Sequence, residues 1–283
     1  MSARGPRDDL IVIIDPVARR TDGESVRIAK DVLGAGAALK LVLPEGPEEF
    51  ARALARRGTR RPVVVGDDAA LRRAVAVLHR ERALGATDLA VVPVAGGATG
   101  VRLARALGVP AGAVAAARTV LDGVPRRLDL LVDDRDEVVL GDVRIPSLGA
   151  GLADEPGAER HGHAWLRTCQ SLVRTLGARP AAGRAGPSRL RVEADGVTLV
   201  DLDQPVEGVS VATGGGGLAR VEVRPSSVGA GVAPVGARAR SVTVSGPDFR
   251  YRADGATAGP VRTRTWTARP QAWGLTLPAD LRA

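Results

Sequence analysis

RPVVVGDDAALRRAVAVL, residues 61–78, runs from a β-branched stretch through Gly66-Asp67-Asp68 into a segment of helical period. Pro62–Val65 is continuously apolar, as a strand covered on both faces must be, and Ala69–Leu84 gathers its apolar residues on one helical stripe. The same alternation extends outward on both sides. Leu10–Ile14, Leu39–Leu43 and Leu89–Val92 read as buried strands, and Ser25–Leu33, Pro47–Arg57, Gly100–Leu107 and Ala111–Leu121 read as amphipathic helices. Strand and helix in this order predict a parallel sheet with helices on both faces. Ligands of such sheets sit at the carboxyl ends of the strands, so the loops after Ile14, Val65 and Val92 are where function is expected.

The texture changes after Asp129. Leu128–Val132 and Val138–Leu140 read as strands, Gly149–Arg160 as a Gly/acidic loop and 164–176 (AWLRTCQSLVRTL) as one amphipathic helix, and Arg179–Pro187 has the composition of a linker or long loop. From Ser188 only strands are expected: Leu190–Glu193, Val197–Val200, Val206–Ala212, Ala219–Val223, Ala239–Val244, Phe249–Arg252, Val261–Thr267 and Trp273–Leu277. Turn signals at Asp195-Gly196, Gly214–Gly217 and Asp254-Gly255 separate them. The fold class expected is an α/β domain with a parallel sheet (1–128) followed by a mostly-β antiparallel sandwich or barrel (129–283).

With 283 residues the chain can bury two cores, and with two Phe, one Tyr and three Trp those cores must be largely aliphatic. The formal charge of +8 is almost wholly arginine, accompanied by abundant Ala, Gly and Pro, a combination that a GC-rich coding sequence imposes on any protein. No basic run is interleaved with aromatic residues able to stack on bases, so no nucleic-acid partner is expected. No apolar stretch is long enough to span a bilayer or to serve as a signal peptide, which predicts a cytoplasmic protein with at most peripheral membrane contact. The lone Cys169 excludes an intramolecular disulfide, and His161-Gly162-His163 lacks a third ligand nearby in sequence for a metal.

Three loops carry candidate chemistry. Asp15-Pro16 follows the first strand, as a turn, a cap or a nucleotide contact. Gly66-Asp67-Asp68 follows the third, and Asp67-Asp68 suits equally an N-cap for the next helix and a carboxylate pair near phosphates. Gly96-Gly97-Ala98-Thr99-Gly100 follows the fourth, with the composition of a phosphate-cradling loop at a helix N-terminus. A dehydrogenase fingerprint is absent after the first strand, and no nucleophile elbow occurs.

These phrases, in this order, resemble the diacylglycerol kinase catalytic family of bacterial lipid kinases, which is distantly similar to NAD kinases. The resemblance runs from about Leu10 to Pro278. The family's Asn-Pro after the first strand appears as Asp15-Pro16, and its Gly-Gly-Asp-Gly-Thr as Gly66-Asp67-Asp68-Ala69-Ala70. Its Pro-Leu-Gly-Thr-Gly-Asn-Asp-Phe-Ala-Arg keeps its flanks as Val91-Val92-Pro93 and Leu103-Ala104-Arg105, with Thr99-Gly100 in best register and Val101-Arg102 in place of Asn-Asp. An Arg-x-Ile-Asp phrase appears as Arg126-Arg127-Leu128-Asp129, and the closing Asp-Gly-Glu as Asp254-Gly255-Ala256.

The resemblance implies ATP and Mg2+ as cofactors and a lipid or other small hydroxyl acceptor in the cleft between the domains. It implies Asp68 as the catalytic and Mg2+-binding carboxylate, with Asp15, Gly66, Asp67, Gly96, Gly97, Thr99 and Gly100 around the nucleotide. The family's general base is replaced by Ala256, and loss of such a base costs ~100- to 10,000-fold in rate. Asp67 in place of a glycine puts a second negative charge beside the phosphates, a repulsion of about 1 kcal/mol even in a water-like dielectric. Two functions are therefore expected: a lipid kinase with impaired phosphoryl transfer, or a pseudokinase holding nucleotide or lipid without turnover.

Overall fold

The computed structural model describes residues 9–146, 187–226 and 233–279. The helix expected at 164–176, Cys169, His161 and His163 lie outside the described residues. The elements in chain order are β1 (Asp9–Ile14), α1 (Pro16–Thr21), α2 (Gly23–Gly36), β2 (Ala38–Val42), α3 (Pro47–Ala55), β3 (Arg61–Gly66), α4 (Asp68–Arg80), β4 (Asp88–Pro93), α5 (Arg102–Ala106), α6 (Ala113–Asp122), β5 (Val124–Asp133), β6 (Val138–Val139) and β7 (Asp142–Pro146). They continue with β8 (Ser188–Arg189), β9 (Arg191–Ala194), β10 (Val197–Val200), β11 (Pro205–Thr213), β12 (Ala219–Pro225), β13 (Val235–Ala239), β14 (Ser241–Ala253) and β15 (Ala256–Leu277).

The parallel order β2-β1-β3-β4 forms the first sheet. Alternation along its strands divides the apolar residues between two layers. Ile11, Ile13, Val64 and Val91 pack against Phe50, Leu54, Leu71, Val75 and Leu78 of α3 and α4. Leu10, Val12, Val63, Val65 and Val92 pack against Val26, Leu33, Ala117 and Val120 of α2 and α6. The β region has its own core, in which Tyr251 meets Trp266 edge-on at 5.3 Å. An α/β region with a parallel sheet thus precedes a largely antiparallel one, as the sequence predicts.

Several boundaries differ. β2 is an edge strand with Leu41 40% exposed, not buried, because no strand covers its outer side. Ala239–Val244 falls on two strands, β13 and β14. Val261–Thr267 and Trp273–Leu277 are parts of one long strand, β15, in which Pro270 marks a bulge and not an end. α1 and β7 were not anticipated, since the first is too short to show a period and the second is interrupted by Arg144.

β15 joins the two regions. Its first part pairs with β14, and its last part lies between β5 and β4, antiparallel to one and parallel to the other. Trp273, Leu275 and Leu277 consequently belong to the core of the parallel sheet. Arg269 pairs with Leu130 and Trp273 with Leu128, leaving Pro270, Gln271 and Ala272 opposite Asp129 alone. Asp129 pins that bulge by accepting the Gln271 N–H at 2.8 Å, and its other oxygen accepts the Gly217 N–H at 2.8 Å. Gly214–Gly217 is the hairpin loop between β11 and β12.

Candidate functional site

The carboxyl ends of β1, β3 and β4 bring Asp15, Gly66, Asp67, Asp68 and the Gly96–Gly100 loop into one neighbourhood. Asp67 is the N-cap of α4, accepting the Ala70 N–H at 2.9 Å. Asp68, in the first turn, turns both oxygens toward the next short helix. It accepts the Leu103 N–H on Oδ2 at 2.8 Å and the Ala104 N–H on Oδ1 at 3.0 Å. α5 has no capping side chain of its own, so Asp68 supplies the cap from a neighbouring helix. Burial pushes the Asp68 carboxyl above its ordinary value and Asp67 adds to the rise, while the two amides and Arg72 oppose it.

Asp15 is buried at the end of β1. Its Oδ1 accepts the Val17 N–H at 2.8 Å as the cap of α1, and its Oδ2 lies 2.7 Å from Arg73 Nη1 on α4. Arg73 also stacks over Phe50, 5.4 Å from the ring centre. Gly66 is needed where these parts meet. A Cβ there would lie 2.7 Å from the Ala70 methyl and 3.0 Å from Asp15 Cβ, so its space belongs to α4 and Asp15.

The Gly96–Gly100 loop lies beside α1 and Asp67. A Cβ on Gly96 would meet Thr21 at 3.4 Å, one on Gly97 would meet nothing, and one on Gly100 would lie 2.7 Å from Ala95 Cβ. The loop is closed on itself by the Gly100 N–H donating to the Gly97 carbonyl at 3.2 Å, and Thr99 is exposed.

Two residues that sequence reasoning did not place here border the same neighbourhood. Asp254, in the β14–β15 turn at φ +48°, accepts three amides: Leu140 at 2.8 Å, Gly141 at 2.7 Å and Asp142 at 3.2 Å. Burial pushes its carboxyl up, and those amides and Arg72 oppose the rise. Arg72, on α4, acts electrostatically on both Asp68 and Asp254, and its buried Nε has no hydrogen-bond partner. The signal for Asp254 was its Asp-Gly pair, which reads as a turn and conceals the cap. Ala256 begins β15 opposite Ala253 and offers no proton acceptor beyond its backbone.

The carboxylates of this neighbourhood are engaged within the fold. Mg2+ in phosphoryl transfer is held by one or two carboxylates together with the phosphates and water. Both Asp68 oxygens are occupied by backbone amides, both Asp15 oxygens by Val17 and Arg73, and one of the two Asp67 oxygens by Ala70. Among the described residues no group of three His, Cys, Asp or Glu side chains could hold a metal. Arg73, the arginine nearest Asp15, is already paired.

No family model matches the chain, and no curated protein matches it by sequence. Solved structures do match it. Two candidate diacylglycerol kinases from Bacillus anthracis str. Sterne give TM-scores of 0.70 and 0.69, each at 14% identity. A diacylglycerol kinase from the same organism gives 0.67 at 12% identity. Each alignment covers 97% of this chain and 98% of the other. The likeness is one of fold, and it spans both regions.

Proposed function

We propose that this chain is a diacylglycerol kinase-like protein that has lost phosphoryl transfer: a pseudokinase, a regulatory or scaffold protein that holds a nucleotide or lipid without turning it over. The fold likeness supports the lineage. One observation carries the loss of activity: the carboxylate aligned with the family's catalytic aspartate, Asp68, has both oxygens engaged by the first amides of α5. Releasing it to a metal would leave two partly buried N–H groups without partners, at about 1–3 kcal/mol each. Ala256 leaves the acceptor hydroxyl without its base, and Asp15, paired with Arg73, is not free to act in its place.

The test is calorimetric titration with Mg·ATP, followed by an assay for labelled phosphate transfer to dispersed diacylglycerol. The expected result is no transfer by the native chain and none by Ala256→Glu, whether or not nucleotide binds. Turnover approaching the ~1 s⁻¹ of ordinary kinases, or a clear gain on installing the glutamate, would overturn the reading in favour of an impaired but active lipid kinase.

A further inference from the structure

α4 runs from Asp68 to Arg80, about 18 Å at 1.5 Å per residue, so its far end is remote from the neighbourhood described above. There a cavity of about 430 Å³ opens beside the β15 bulge, within the range of small-molecule sites. Leu84, Leu130, Val132 and Ala272 line it with apolar surface, and Pro270 of the bulge forms part of its wall. Its charged members are His79, Asp136, Arg82 and Arg269. Asp136 is hydrogen-bonded to His79 at 2.8 Å, whereas among the described residues no carboxylate forms an ion pair with the exposed Arg82 or Arg269. The cavity therefore combines an apolar floor with two guanidinium groups and a single carboxylate, Asp136, which is hydrogen-bonded to His79.

Arg82 is also held against its conformational preference. α4 closes with the Ala83 N–H donating to the Leu78 carbonyl and the Arg82 N–H to the His79 carbonyl, both at 2.8 Å. That double bond pattern puts Arg82 at φ +55°, a position where glycine is the usual residue. Gln271, in the bulge, is likewise left-handed at φ +45°. Strained residues beside a cavity point to a role other than folding.

We propose that this cavity binds a small amphipathic anion, an aliphatic chain lying over Leu84, Leu130 and Val132 with a carboxylate or phosphate head between Arg82 and Arg269. The site uses no residue of the proposed pseudokinase centre and stands or falls independently of that reading. The head requires charge-assisted donors, which the two arginines supply, and the chain requires apolar contact, which the floor supplies. The same chemistry describes a free alkyl acid or alkyl phosphate and the headgroup region of a membrane lipid.

The test uses the full chain titrated calorimetrically with octyl phosphate and octanoate below their micelle concentrations, with inorganic phosphate and octanol as the two halves of the ligand. Saturable binding of the amphiphiles, weaker binding of either half, and a loss of about tenfold or more in Arg82→Gly and in Arg269→Ala are expected. Arg82→Gly suits the left-handed backbone, and Arg269→Ala changes an exposed side chain, so neither substitution removes a folding contact. Co-sedimentation with phosphatidylglycerol vesicles identifies the source. Vesicle binding lost in the double variant points to a membrane lipid, and monomer binding without vesicle binding to a free ligand. No saturable binding, equal affinity for inorganic phosphate or octanol, or binding indifferent to both arginines would overturn the proposal.

Discussion

The two ends of α4 use charge in opposite ways. At the N-terminal end Asp15 is paired with Arg73, Asp67 caps its own helix and Asp68 caps the next. Nearby, Asp254 gathers three amides from the start of the β region. At the C-terminal end Arg82 and Arg269 border a cavity with no ion-pair partner among the described residues, and Arg82 holds a strained backbone position. A charged residue in a loop at the edge of a sheet is available to a ligand only when the fold has not already engaged it. By that criterion the carboxylates Asp15 and Asp68 at the first end are taken up by internal bonds, while the arginines at the second are open.

If the N-terminal end is structural, its carboxylates should be felt first in stability. Asp254→Ala is expected to be the most damaging change, leaving three amides unpartnered and placing alanine in a left-handed position, a loss of about 3–5 kcal/mol in urea unfolding. Asp68→Ala should cost about 2–3 kcal/mol by the same measurement, and Asp68→Asn, which keeps one acceptor oxygen, roughly half as much. A fully stable Asp68→Ala protein would remove the basis for calling that carboxylate structural.

Acidity should report on the N-terminal end more gently. Burial raises the folded-state pKa of both Asp68 and Asp254 above the ordinary 3.8, so the folded protein holds these protons more tightly than the unfolded chain. Their combined contribution to stability is fully present below 3.8 and is lost as pH rises through the raised values. Urea midpoints from neutral pH down toward 4 should therefore fall less steeply in the native chain than in the double variant Asp68→Asn, Asp254→Asn, which cannot take up these protons.

The parallel sheet was legible because β1, β3 and β4 are continuous apolar runs, each closed by Asp, Gly or Pro, and burial on both faces leaves no other reading. The neighbourhood of Asp15, Gly66, Asp67, Asp68 and Gly96–Gly100 was legible for the same reason, since the carboxyl ends of adjacent parallel strands must lie together. What those residues do there was not. Whether Asp68 faces a ligand or the amides of Leu103 and Ala104 depends on where α5 packs, thirty-five residues further along the chain. The path of β15 was hidden similarly, because Pro270 reads locally as a strand end and only pairing with β5 turns it into a bulge. The cavity that this bulge borders has no sequence signature, as its members come from α4 and the segment after it, β5 and the turn that follows, and β15.

The smallest expected effect has the opposite sign and makes the comparison sharpest. Arg82→Gly places glycine at the left-handed residue that ends α4, where a side chain is disfavoured by about 1 kcal/mol. Glycine also gives the unfolded chain more freedom, which returns part of that gain, so the net stabilisation should be about 0.5 kcal/mol in urea unfolding. A carboxylate removed from one end of the helix would then weaken the protein, while an arginine removed from the other would strengthen it. Stability alone would favour glycine at position 82, so a stabilised Arg82→Gly protein that has also lost octyl phosphate binding would show that the arginine serves the cavity at the expense of the fold. A destabilised one would mean that Arg82 belongs to the helix terminus, and the difference between the two ends would disappear.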